Sequence, residues 1–160
     1  MSPIYQHTQI GYVTLLSLLA GLGFIAVVSA YFPLPVAIAV GVVLAACAVL
    51  FSTLTVIVRD AALHVRFGPG LIRRTIPLSR IRSVRSVVTP WYYGWGIRLT
   101  PWGWLWNVSG LRAVELAFDN GHTFRIGTDE PEKLASVLSR ELPRHAVPVG
   151  PAPRARIVIA

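Results

Sequence analysis

No Asp, Glu, Lys or Arg occurs between Ser2 and Val58. A third of the chain without a charged side chain cannot be an ordinary solvated surface, and it marks a membrane anchor. Because neither apolar run inside it carries an ionisable residue, a proton relay or ion pathway is not expected, and neither is a transporter or channel.

Cysteine is nearly missing too. Cys47 stands alone within an apolar run, so an intrachain disulfide is impossible and a zinc cage has no ligands; the residue is read as a small packing group. Carboxylates are scarce: Asp119 sits in a turn, and Asp129, Glu130 and Glu132 are explained as helix-start residues. His7, His64, His122 and His145 are scattered, and no metalloprotease helix, phosphate loop or dinucleotide glycine fingerprint accompanies them. With no catalytic set, no metal site and no cofactor motif, an enzyme is not expected.

What is present divides into two unlike parts. The apolar runs Ile10 to Phe32 and Leu34 to Phe51 each meet the requirement of roughly 20 residues for a bilayer core of about 30 Å. Phe32-Pro33-Leu34-Pro35 separates them, and each proline removes a helical donor, so a tight transmembrane hairpin is expected over residues 1–52. A cleaved signal peptide is rejected because Met1 to Gln9 has no positive residue, the first run is too long, and a second follows at once. Small residues spaced by four, Ser17 and Gly21 in one run and Ala37, Gly41 and Ala45 in the other, let helix backbones approach closely. Packing within the hairpin is the favoured use, ahead of a homo-oligomer seam.

All 22 charged residues, the sum of 15 Lys and Arg and 7 Asp and Glu, lie in the last 102 positions. Arg59, Arg66, Arg73 and Arg74 closely follow the second run while the inter-helix loop is uncharged, which places both termini and the following domain in the cytoplasm of a multi-pass inner-membrane protein.

Beyond Ser52 the pattern turns to strands. Thr53 to Arg59 is rich in β-branched residues; Leu63, Val65 and Phe67 alternate with His64 and Arg66; Leu71 to Pro77 follows a Gly-Pro-Gly turn. Arg82 to Thr89 reads as a strand although Ile81, Val84 and Val87 do not keep period two. Trp95 to Thr100 and Trp104 to Val108 form a hairpin in the block 91–110 that holds every tryptophan. Ala113 to Phe118 and Thr123 to Ile126 form another. A two-residue Asn120-Gly121 loop would set Leu116 against Arg125, whereas a three-residue Asp119-Asn120-Gly121 loop pairs Leu116 with Phe124, Val114 with Ile126 and Glu115 with Arg125, so the second register is expected. Thr128 or Asp129 is expected to cap a final helix, with Glu132 closing a capping box and Leu134, Val137, Leu138 and Leu142 as its apolar face. The Pro/Arg-rich tail 143–160 reads as disordered.

Short strands closed by one amphipathic helix after a two-helix anchor resemble the bacterial PH-like domain family of small membrane proteins. The resemblance rests on Val65-Arg66-Phe67-Gly68, Ile76-Pro77-Leu78, Trp91 to Arg98, Asn107-Val108-Ser109-Gly110 and Arg125 to Pro131. It implies a membrane-anchored α+β chain whose residues 53–142 form a mostly antiparallel barrel or sandwich of about seven strands, plugged by the C-terminal helix. Asp60-Ala61-Ala62 is too short to form the basic loop that holds inositol phosphates in eukaryotic PH domains.

Two functions stay open, the first preferred and the second its alternative. One is a non-enzymatic scaffold that contacts a membrane-protein partner or a second copy through Trp91, Tyr92, Tyr93, Arg98, Trp104 and Trp106, residue types that dominate contact energy at interfaces. The other is an anionic-lipid module with Arg73, Arg74, Arg80, Arg82 and Arg85 on headgroups and Trp91 or Trp102 dipping in. About half of the aromatic rings are expected in the core, Trp95 and some of Trp102, Trp104 and Trp106 among them. Arg66, Arg74, Arg98 and Arg125, opposite apolar neighbours on their strands, are expected on solvated faces. Nucleic acid is disfavoured, because a domain clamped to a bilayer is poorly placed to meet a long polyanion.

Overall fold

The computed structural model describes residues 3–31 and 33–142. The chain is α+β, with apolar N-terminal helices, two mostly antiparallel sheets and a C-terminal helix. Helix α1 (Tyr12–Val28) continues through a short 3-10 turn (Ser29–Tyr31), making a 20-residue stretch long and apolar enough to cross a membrane. Helix α2 (Leu34–Leu50) is apolar and 17 residues long, with Pro35 in its first turn, where a missing N–H costs nothing. Neither helix has a buried residue, and the two lie against each other. Gly21 takes the Leu44 side chain, and Ala37 lies in a small pocket with Ile25 and Val28. Gly41 has no atom within 4 Å of where a Cβ would be, Ala45 is exposed, and the Ser17 hydroxyl donates to its own helix at the Val13 carbonyl. The close contact therefore uses Gly21 and Ala37, not the whole set of small residues.

The first sheet has the order β1-β2-β3-β4, all antiparallel: β1 (Tyr5–Ile10), β2 (Thr53–Arg59), β3 (Ala62–Phe67) and β4 (Ile72–Pro77). Strand β1 is a finding against expectation. The first apolar run was expected to begin at Ile10, yet Ile10 ends a strand that pairs with Thr53 across the entire helical excursion. The segment before the first helix thus belongs to the domain: Tyr5 reaches its core.

The second sheet has the order β5-β8-β9-β7-β6, from β5 (Ile81–Val88), β6 (Gly96–Thr100), β7 (Gly103–Asn107), β8 (Arg112–Phe118) and β9 (Thr123–Gly127). Among the described residues there are nine strands, eight of them within 53–142 where about seven are expected, and β7 runs parallel to β9. The β8–β9 register is the expected one, Leu116 with Phe124, Val114 with Ile126 and Glu115 with Arg125. Gly121 carries the positive φ of 78° that the three-residue loop needs. Strand β5 breaks period two because a bulge between Ile81 and Ser83 shifts its phase, which puts Ile81 and Val84 on one face.

The core lies between the sheets. Phe67 of the first sheet packs on Trp106 of the second (5.2 Å between ring centres), and Trp106 on Phe124 (5.5 Å). Helix α3 (Pro131–Glu141) closes the core against β5 and β8 with Leu134 and Leu138 buried. Its expected capping box is absent. Thr128 Oγ1 accepts from the Glu130 amide, while the Glu132 carboxylate pairs with Arg112. Its own backbone amide, then Arg112, hold the Glu132 carboxyl below the usual range. The tail 143–160, with its expected disorder, lies outside the described residues.

Helices and domain meet without a linker. The Gly11 amide donates to the Ser52 carbonyl (2.8 Å), and the Gly68 amide to Thr53 (2.8 Å). A Cβ on Gly68 would stand 2.4 Å from the Val49 carbonyl oxygen at a φ of +44°, so only glycine lets the β3–β4 turn lie against the end of α2.

The far end of β1 is held by side chains. His7 Nε2 lies 2.6 Å from Asp129 Oδ1, Tyr5 OH donates to Glu130 Oε2 (3.5 Å), and Lys133 pairs with Glu130 (3.1 Å). Burial, then the Glu130 carboxylate, pushes the Tyr5 phenol well above its ordinary value of 10.0. A raised folded pKa leaves stability untouched while both states are protonated. Above about pH 10 the unfolded chain ionises first, so stability falls as pH rises. Alkaline unfolding curves of the full chain in detergent are expected to show this fall, and Tyr5→Phe is expected to flatten it; equal slopes would remove Tyr5 as the cause.

Candidate functional site

Strands β5 and β6 occupy opposite edges of their sheet, so residues 89–95 must cross from one edge to the other. This crossing carries the aromatic turn. Pro90, with φ fixed at −57°, leads into a 3-10 turn over Trp91–Tyr93. The Thr89 amide donates to Leu111 (2.7 Å) and the Trp95 indole N–H to Gly110 (3.2 Å), which tie both ends of the crossing to the start of β8.

The rings form a chain. Trp91 to Tyr92 is 6.3 Å, Tyr92 to Tyr93 4.8 Å, and Tyr93 to Trp102 5.1 Å between centres. Trp102 then lies under the Arg125 guanidinium at 4.3 Å. Arg125 Nε donates to Glu115 Oε2 (2.6 Å) and Arg85 Nε to Glu115 Oε1 (2.7 Å). Arg85, Glu115 and Arg125 share one register row across β5, β8 and β9. One buried carboxylate thus sits between two guanidiniums, and the more buried of these, that of Arg125, is capped by an indole.

This arrangement corrects one expectation. Arg125 is buried, not solvated, because the face of the second sheet on which it lies is covered. Arg74 is half-buried with its guanidinium 4.6 Å over Phe124, while Arg66 and Arg98 are exposed as expected.

The remaining candidates fall in different places. Trp106 is 7% exposed and belongs to the core, so it offers no contact surface; Trp95, expected to help fill the core, is half-buried. Trp91 (72% exposed) and Tyr92 (64%) stand open at the helix junction, where both line a groove with Val13, Leu18 and Phe51. Arg73 is exposed opposite Arg66, one pair from the β3–β4 turn that touches α2, and Leu71 (78% exposed) is at that turn. Tyr93 is half-buried, while Trp102 and Trp104 are partly open. Arg80 and Arg82 are exposed near the opposite end of the first sheet, where the Leu78 amide donates to Ala61. Six strand steps from Thr53 to Arg59 put that end about 20 Å from the helices. Arg74 and Arg80 there line a cavity of ≈ 480 Å³ together with Asp119.

Among the described residues no three His, Cys, Asp or Glu side chains gather as metal ligands. The grouping of Tyr5, His7, Asp129 and Glu130 was missed; the β-formers Tyr5, Thr8 and Ile10 were its only signal. Comparison of the chain with protein-family models, with curated proteins and with solved structures finds no match.

Removing Glu115 would leave Arg125 buried without a counter-ion. Glu115→Ala is expected to destabilise the chain by about 3–5 kcal/mol, while Arg112→Ala, at an exposed pair, is expected to cost under about 1 kcal/mol. Chemical denaturation of the two variants in the same detergent checks the contrast; similar midpoints would contradict it.

Proposed function

We propose that the chain is a non-enzymatic integral membrane protein whose PH-like domain is seated on the inner leaflet and contacts anionic lipid. Helix α1 crosses the membrane and α2 returns, 17 residues giving about 26 Å, at the short end of the spanning range. Both chain ends and the domain then lie on the cytoplasmic side, following the arginine bias.

One observation carries the lipid reading. Three exposed apolar or aromatic side chains of the domain, Leu71, Trp91 and Tyr92, stand at the end where the helices enter, with Arg66 and Arg73 beside the first of them, while Leu99 and Trp104 are exposed elsewhere, next to the β6–β7 turn. That is the composition of an interfacial belt, in which indole and phenol rings sit at headgroup depth and each cation near the surface contributes about 1 kcal/mol. Of the lipid candidates, Arg73 and Trp91 fit this seat. Arg80 and Arg82 are too far from it, Arg85 is committed to Glu115, and Arg74 lies over Phe124.

Full-length chain in vesicles of brominated phosphatidylcholine and phosphatidylglycerol tests the seat. Trp91 is expected to supply most of the bromine-quenched emission, so Trp91→Phe is expected to lose most of the quenching. Unchanged fractional quenching in that variant would contradict the proposal.

A scaffold role is favoured by a separate observation, the exposed arginines Arg80 and Arg82 at the end remote from the helices. A photo-crosslinking residue at position 82 in native membranes is expected to capture a defined partner or a second copy. Recovery of the uncrosslinked monomer alone would count against the role.

A further inference from the structure

The groove at the helix junction has a volume of ≈ 630 Å³, within the range of about 300–1,000 Å³ typical of ligand sites. One wall is the first turns of α1 and the end of α2, with Val13, Leu18 and Phe51; the other is the aromatic crossing and β6, with Trp91, Ile97 and Arg98. From Val13 to Leu18 the helical wall extends about 7.5 Å along α1. Arg98 is the one charged residue on the lining. Among the described residues no carboxylate pairs with it; its Nε donates to the Trp95 carbonyl (3.3 Å) and its guanidinium lies 3.5 Å from the Cβ position of Gly94.

We infer that this groove is a binding site for one anionic glycerophospholipid, with an acyl chain against the helical wall and the phosphate on Arg98. The inference rests on the membrane seat proposed above and adds a defined lipid position to it. Three features select the occupant. The helices that form the wall bury nothing within the protein, so in a bilayer the groove opens to acyl chains. Among the described residues its one cation has no acidic partner, which favours a negatively charged headgroup over a zwitterionic one. The exposed Trp91 ring beside it suits the ester and headgroup layer between chain and phosphate. A polar soluble ligand would find few partners among these walls.

The test uses the full chain in phosphatidylcholine vesicles carrying a trace of photoactivatable phosphatidylglycerol or photoactivatable phosphatidylcholine, each with a diazirine on its acyl chain. After irradiation, label is mapped by peptide mass. The expected result is label concentrated in residues 13–18 and 91–98, about five-fold stronger from phosphatidylglycerol, the ratio corresponding to about 1 kcal/mol for one cation. Arg98→Ala is expected to bring the two lipids to parity and Arg98→Lys to keep most of the preference. Label spread evenly along both helices, or a preference that survives Arg98→Ala, would overturn the inference. Carbonate extraction of the same vesicles separates the two levels: a chain that resists extraction but lacks groove label loses only this site, and a chain that is extracted loses the membrane seat as well.

Discussion

The pairing of β1 with β2 is the constraint on which the rest depends. These strands flank the two apolar helices in sequence, yet they lie side by side from Tyr5 with Val58 to Ile10 with Thr53. Whatever leaves the sheet at Gly11 must come back to it at Ser52, and the hydrogen bond between those two residues fixes the point of return. The helices therefore start and finish together without needing a strong contact along their length. The β3–β4 turn and the end of β7 are held against that same point, through Gly68 on α2 and through the Thr14 hydroxyl, which donates to Val108 (3.0 Å).

A single sheet shared by the N-terminal segment and the domain also limits motion. A domain joined by one covalent link could tilt freely, whereas two adjacent strand-to-helix joins, with Phe51 packed on Phe67 at 5.4 Å, act as a broad hinge plate. This gives the exposed rim of Leu71, Trp91 and Tyr92 a fixed bearing relative to the helices. Deeper in the domain, the row of Arg85, Glu115 and Arg125 under Trp102 ties the crossing to the sheet. The aromatic turn is thus anchored by the Thr89 amide on Leu111, by the Trp95 indole on Gly110 and by ring stacking towards Arg125.

Much of this was legible in the sequence. The charge-free runs, the alternation of Leu63, Val65 and Phe67, and the register of the Leu116 and Phe124 hairpin follow from periodicity and turn chemistry. What was not legible shares one physical cause, the contacts between distant segments. Tyr5 to Ile10 is too short and polar to declare itself a strand until β2 is there to receive it. Arg125 follows the alternation that ordinarily means solvent, and only the covering aromatics with the Glu115 carboxylate make its burial affordable. Glu132 stands at capping-box spacing, but Arg112 offered it a stronger partner. The strand from Arg82 was legible, but the Ile81 and Ser83 bulge against β8 is what broke its period by shifting its phase. Among the tryptophans, composition could not separate Trp106 in the core from Trp91 in the open, because the same ring serves burial and interface equally well.

The central claim is that both strand-to-helix joins lie on one side of a membrane. In a Cys47→Ala background, single cysteines at exposed positions, Gln6→Cys, Ala61→Cys and Ala30→Cys, can be reacted with a membrane-impermeant maleimide in sealed inverted vesicles. The account predicts that positions 6 and 61 label together while position 30 is protected until detergent is added. Labelling of positions 6 and 61 from opposite sides would contradict it.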